Sequence, residues 1–294
     1  MRGSVILSAT LIAVAASPCV AQGPSAPASL SLLGAGVRAD AGSLAPTSSF
    51  AVVAEAARLS PAEGRAFRSG QLRQARVRDA HARVASRLAA TFERAGVPYP
   101  TDVLFRVFKS ERVFEVWGFD PVAERYVLVR DYPVCAVSGH LGPKTRRGDL
   151  QVPEGFYSID LFNPWSRFHL SMRVSYPNQA DLARGRFDDR MGGDIYVHGG
   201  CATVGCVPVT DSVIEELYVL AVDARGNGQA TIPIHIFPAR MEGDAMRVLF
   251  DESGGDWSLW RFWLDLKAGY DHFETHRTEP DITIDPDGFY RFEA

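Results

Sequence analysis

The chain has 294 residues, 46% hydrophobic and 22% charged, which is enough for one sizeable core or one catalytic domain with extensions. With 31 basic against 35 acidic residues its formal charge is −4 at pH 7. That balance argues against nucleic acid as a partner and leaves small anionic or zwitterionic ligands open.

At the amino end Arg2 is the single charge ahead of an apolar run, Val5 to Ala16, followed by Pro18 and the small residue Ala21. This pattern reads as a secretory signal over residues 1–21. The run is shorter than the roughly 20 residues a membrane span needs, and no later segment reaches that length, so no transmembrane segment is expected. Lipidation at Cys19 fits poorly with Pro18 directly before it. The mature chain is therefore expected in an oxidising periplasm. It keeps Cys135, Cys201 and Cys206, an odd number that leaves at least one thiol outside any disulfide.

Residues 22–50, rich in Ala, Ser, Gly and Pro, read as a flexible linker. Residues 51–98 turn helical: Ser60-Pro61-Ala62-Glu63 is a helix start, and Val77, His81, Val84, Leu88 and Phe92 recur at helical spacing. Such a helix packs on the main domain or spaces it from an envelope surface. After Pro98 and Pro100 the period becomes that of strands, in Phe105–Lys109, Val113–Trp117 and Tyr126–Tyr132, then Phe156–Ile159, Phe168–Met172, Ile195–His198 and Ile232–Ile236. Short strands at this spacing predict a mainly β, α+β domain over 99–240, sandwich or small barrel, with one helix from Asp211 to Ala224. In the extension at 241–294, Trp257–Glu274 has helical spacing and a hairpin is expected around Asp287-Gly288.

The chemistry concentrates in Tyr196-Val197-His198-Gly199-Gly200-Cys201-Ala202-Thr203-Val204-Gly205-Cys206. A strand delivers His198 into a glycine-rich loop that ends at Cys206, ahead of a helix. A thiol attacks carbonyls as thiolate, and its ordinary pKa of about 8.5 keeps it protonated at neutral pH. An imidazole and a helix N-terminus both favour the thiolate. Gly199, Gly200 and Gly205 let backbone pass close to a bound peptide, and the N–H groups of Gly205 and Cys206 are natural oxyanion donors.

His198-Gly199 followed by Thr203-Val204-Gly205-Cys206 resembles the HxG…[ST]xGC signature of YkuD-type L,D-transpeptidases. The short His-to-Cys gap and the extra Cys201 are similar to the YafK-like branch. So are Ser138-Gly139-His140-Leu141-Gly142-Pro143-Lys144, the block Gly148–Tyr157, and Leu266–Phe273, so that the resemblance spans roughly residues 103–292. It implies a YkuD-like β-sandwich catalytic domain with flanking N-terminal and C-terminal helices, needing no cofactor or metal. It implies Cys206 as nucleophile and His198 as base, oriented by a backbone carbonyl near Gly199 or Gly200. The implied substrates are peptidoglycan stem peptides, attacked at the L-centre of meso-diaminopimelate. Better-known members carry a histidine where this chain has Val204, and a longer His-to-Cys loop. Some YafK-like members are amidases that release proteins attached to stem peptides, which makes a peptidoglycan-linked lipoprotein a further expected partner.

Other candidates have competing readings. Cys201 fits a disulfide with Cys206, a metal site with His198 and Cys206, or plain packing; Cys135, in an apolar strand, reads as core. Lys144, Arg146 and Arg147 form either a solvated face or a clamp for stem-peptide carboxylates. His140 is left open, and His81, His169, His235, His272 and His276 show no partner pattern.

Overall fold

Ser60 acts on the helix start its position predicts. Its hydroxyl accepts from the Glu63 N–H, the Glu63 carboxylate accepts from the Ser60 N–H, and Pro61 fills the first turn, so α1 runs Pro61–Leu72. The structure, a computed structural model, describes residues 58–185 and 192–292; the expected signal peptide, Cys19 and the linker lie outside the described residues. A break at Arg73-Gln74 divides the helical segment, and α2 follows over Ala75–Arg94. Val77, Ala80, Val84, Leu88 and Phe92 line its buried face.

The described strands of the main domain form one curled mixed sheet of eight, in the order β3-β2-β1-β8-β4-β5-β6-β7. They are β1 Val103–Phe108, β2 Val113–Asp120, β3 Arg125–Pro133, β4 Gly155–Asn163, β5 Ser171–Val174, β6 Tyr196–His198, β7 Val207–Pro208 and β8 Ile232–Phe237. Alternation assigns the faces. Phe105, Val107, Val116, Val197, Ile234 and Ile236 join α2 and the helix α4 (Asp211–Gly226) in one core. Phe108, Phe156 and Phe237 point the other way, against α5 (Gly243–Glu252), α6 (Trp257–His276) and the C-terminal hairpin β9–β10 (Ile282–Ile284, Tyr290–Phe292). A six-residue helix, α3 (Gln179–Arg184), follows β5. The expected α+β class is observed, with helices on both faces of the sheet.

The order of strands leaves β3 and β7 as the two edges, yet the sheet curls until they approach. Just past β3, the Cys135 N–H donates to Pro208 O in β7 at 3.0 Å. A disulfide between Cys135 and Cys201, Cα atoms 5.4 Å apart, spans the same seam. Such closure satisfies edge groups that an open sheet leaves unpaired. The reading of Cys135 as a packed core thiol is thereby corrected.

Candidate active site

Strand pairing places the two residues expected to react. β6 and β7 run parallel with Val197 opposite Val207 and His198 opposite Pro208. Val197 and Val207 both enter the core. Alternation therefore puts Cys206, just ahead of Val207, on the opposite face with Tyr196 and His198. Both are buried, His198 at 2% and Cys206 at 5% exposure.

His198 is tightly determined. Its Nδ1 lies 2.7 Å from Gly199 O, and a carbonyl can only accept, so Nδ1 carries the proton and Nε2 keeps a lone pair. Burial pushes the imidazole pKa below its ordinary value, opposed by the Gly199 bond, so the ring is neutral at pH 7. Phe168 stacks on it, centroids 4.6 Å apart. The same loop fixes the next residue, because Gly199 N–H donates to Phe168 O at 3.0 Å. A Cβ at Gly199 would meet Phe168 O at 2.8 Å and the Asp211 carboxylate closer still, so only glycine fits.

Behind Phe168 stands the N-terminal helical segment. Arg76 Nη1 donates to the carbonyls of Pro164, Ser166 and His169, and Glu215 joins His169 Nε2 (2.7 Å) to Arg83 (2.6 Å). Nothing in the sequence marks Phe168 or Arg76; both act through tertiary packing.

Cys206 keeps a thiol outside any disulfide, with its Sγ 3.7 Å from Asp194 O. Thr203 Oγ1 donates to Cys206 O at 2.8 Å and accepts from Gly205 N–H at 3.2 Å. The Gly205 N–H expected as an oxyanion donor is thus engaged by Thr203. Gly205 sits at φ +131°, and a Cβ there would lie 2.9 Å from Gln151 O. The expected helix N-terminus is also more distant: β7 intervenes and Thr210 caps α4, whereas a helix dipole acts within its first turn. Gly200, at φ +72°, leads into the exposed Cys201. With Cys201 bonded to Cys135, neither a Cys201–Cys206 disulfide nor a site joining His198, Cys201 and Cys206 to a metal is formed.

The loop from Ser138 to Glu154 walls the site. Lys144, expected on a solvated face or as a carboxylate clamp, is instead 5% exposed and bound internally. Its Nζ donates to Asp149 Oδ1 (2.5 Å) and Arg146 O (3.0 Å). Burial pushes the Asp149 carboxyl up, but Lys144 and three backbone N–H groups outweigh it and hold the group below its ordinary range. Arg146 and Arg147 are exposed on this loop. Arg147 Cα lies 3.1 Å from where Gly192 would carry a Cβ, two residues before Asp194. His140 donates its N–H to Gln151 Oε1 (2.8 Å) and gives its carbonyl to Lys109 Nζ (2.9 Å). Sequence reading missed that lysine, 3% exposed beside the fully buried Glu154.

Comparison with known proteins agrees with the fold. Residues 106–236 match the family described as YkuD, the L,D-transpeptidase catalytic domain. YafK of Escherichia coli (strain K12), which carries the name of an L,D-transpeptidase, is 34% identical over 184 residues, covering 62% of this chain and 70% of the relative. YafK of Escherichia coli O157:H7 matches to the same extent. The chain belongs to the YkuD L,D-transpeptidase family. Among solved structures, the helical cell shape determining protein Pgp2 from Campylobacter jejuni aligns with a TM-score of 0.39 at 15% identity, covering 62% of this chain and 74% of that one. Bd1075 of Bdellovibrio bacteriovorus gives 0.36 at 19%, covering 63% and 78%.

Proposed function

We propose that this chain is a periplasmic cysteine acyl-transfer enzyme acting on peptidoglycan stem peptides at the L-centre of meso-diaminopimelate. The observation that carries the reading is the Nδ1 bond of His198 to Gly199 O, which leaves Nε2 as a base on the face that Cys206 shares. Cys206 Sγ attacks the carbonyl while its proton passes to His198 Nε2. The C–N bond to the following D-residue breaks, its amine takes that proton, and a thioester remains. An incoming amine then gives a new cross-link, or water gives a free carboxylate, and the thiol is regenerated. A neutral imidazole favours deprotonation during attack over a standing thiolate–imidazolium pair. Arg146 and Arg147, exposed beside the site, supply positive charge for stem-peptide carboxylates.

The test is acylation by a carbapenem, read by intact mass, followed by digestion of purified peptidoglycan with and without attached protein. An adduct lost in Cys206→Ala, together with new 3–3 cross-links, is the expected result. Freed protein or shortened stems would reassign the resolving group from amine to water. No adduct and no change in muropeptides would refute the proposal. The rate should also rise with pH through a midpoint below 6.5, as His198 loses its proton, and this limb should vanish in His198→Ala.

A further inference from the structure

The nucleophile lies at the seam where the two edges of the sheet meet, and that seam is covalently closed. Cys135 follows β3, one edge; Pro208, in β7, is the other edge and stands two residues after Cys206. The Cys135 N–H to Pro208 O bond ties backbone to backbone there. The disulfide then reaches from Cys135 into the middle of the loop between His198 and Cys206. The loop's two ends are held separately, by Gly199 N–H on Phe168 O and by Thr203 on Gly205 N–H and Cys206 O. Its centre runs through Gly200, at a positive φ only glycine adopts freely, to Cys201 and Ala202, both exposed. A short glycine-containing loop has large conformational freedom to lose, and a covalent tie at its centre removes most of it.

We infer that the Cys135–Cys201 disulfide is a positioning element of the reaction, holding the loop so that the thiol of Cys206 and the imidazole of His198 work as a pair. The inference rests on the reading of Cys206 as the reacting group, and it deepens that reading. It makes assembly of the site depend on oxidation. A disulfide donor must accept two electrons and two protons from Cys135 and Cys201 by thiol–disulfide exchange, a reaction favoured in oxidising compartments. In the reduced chain the Cys201 thiol, exposed and five residues from Cys206, becomes a competing nucleophile.

The experiment compares the oxidised mature chain, the same chain treated with tris(2-carboxyethyl)phosphine, and the variant Cys135→Ser/Cys201→Ser. Reduction breaks the S–S bond with uptake of two electrons and two protons, while the phosphine becomes its oxide with oxygen from water. Each sample reacts with iodoacetamide across a pH series, and alkylation at Cys206 is read by peptide mass spectrometry. Far-UV circular dichroism reports retention of the fold. The oxidised chain should show a rate limb in the range where His198 deprotonates. The reduced and doubly substituted chains should lose that limb, follow an ordinary thiol midpoint near 8.5, and react at least tenfold more slowly at pH 7. Reoxidation with oxidised glutathione should restore the first behaviour in the native chain and not in the variant. If the disulfide were a purely structural staple, its loss would lower the unfolding temperature and leave the pH profile in place, which would overturn the inference, as would rates within twofold of the oxidised chain. If the double variant fails to fold, reversible reduction of the native chain decides. The readout uses no cell-wall substrate, so it stands even where the peptidoglycan assays fail.

Discussion

Replacing Lys109 by Met should destabilise the protein far more than a surface lysine would. Lys109 Nζ donates to Glu154 Oε1 (2.7 Å), His140 O (2.9 Å), Val152 O (3.0 Å) and Gly142 O (3.4 Å). Glu154 also accepts from Gly142 N–H (2.7 Å) and Trp263 Nε1 (2.8 Å). One ion pair thus joins β1, the wall loop and α6. Removing its cation leaves a carboxylate buried without a counter-charge, which costs about 3–5 kcal/mol. For a domain of this size 1 kcal/mol is worth about 2–4 °C, so Tm should fall by roughly 6–20 °C. Lys109→Met/Glu154→Gln removes both charges and should recover about 2 kcal/mol of the single loss. Urea denaturation of both single variants and the double variant closes the thermodynamic cycle. A loss under about 1 kcal/mol for Lys109→Met, or strict additivity in the double variant, would refute the reasoning.

Two further outcomes follow from the same structure. Arg76→Ala should release the loop that stacks Phe168 on His198 and lower the turnover of Cys206 acylation about 10–100-fold with little change in KM, while Arg76→Lys restores part of it; equal effects on both constants would point to substrate contact instead. His235, 1% exposed, is held at a pKa of about 3, chiefly by burial and then by Arg106. As pH falls below 6.5 the unfolded chain binds a proton that the folded chain refuses, so stability is lost, by about 2 kcal/mol at pH 5. His235→Phe, set among Phe156, Phe237 and Phe273, should lack this loss, and parallel urea midpoints for the two proteins at pH 7.5 and 5 would exclude it.

Regular patterning made much of the fold legible. Alternation in Phe105–Lys109 and Val113–Trp117 corresponds to β1 and β2, and the expected Trp257–Glu274 helix is α6. The strand expected at Phe168–Met172 begins instead at Ser171, because His169 adopts φ +67° and the preceding segment turns to bring Phe168 over His198. The division of the helical segment at Arg73-Gln74 has one sequence signal, Gly70 in the last turn of α1, and both halves pack on the core that includes α4. α5 was readable but not expected: Ala245, Met246, Leu249 and Phe250 recur at helical spacing, although only Leu249 is fully buried. α3 had a readable start, Asn178 with Asp181 as a capping box, though its six residues give no period.

The site divides in the same way, between what adjacency encodes and what topology assembles. His198, the glycines and Cys206 lie within nine residues, so their chemistry could be read from one segment. Cys135 could not be assigned, since its partner is 66 residues away and the pairing depends on a sheet that curls until its first and last edges meet. Lys144 departs from its sequence reading for a related reason: Lys144 and Thr145 ahead of the basic pair Arg146-Arg147 look solvated, whereas Asp149 folds the loop back and draws that lysine inward beneath Tyr176. Within this loop the outward charge then falls to Arg146 and Arg147. This matters for the proposed chemistry: a neutral His198 contributes no positive charge to the ground state, and on that proposal the carboxylates of a stem peptide would meet those two guanidinium groups and backbone N–H groups of the wall loop.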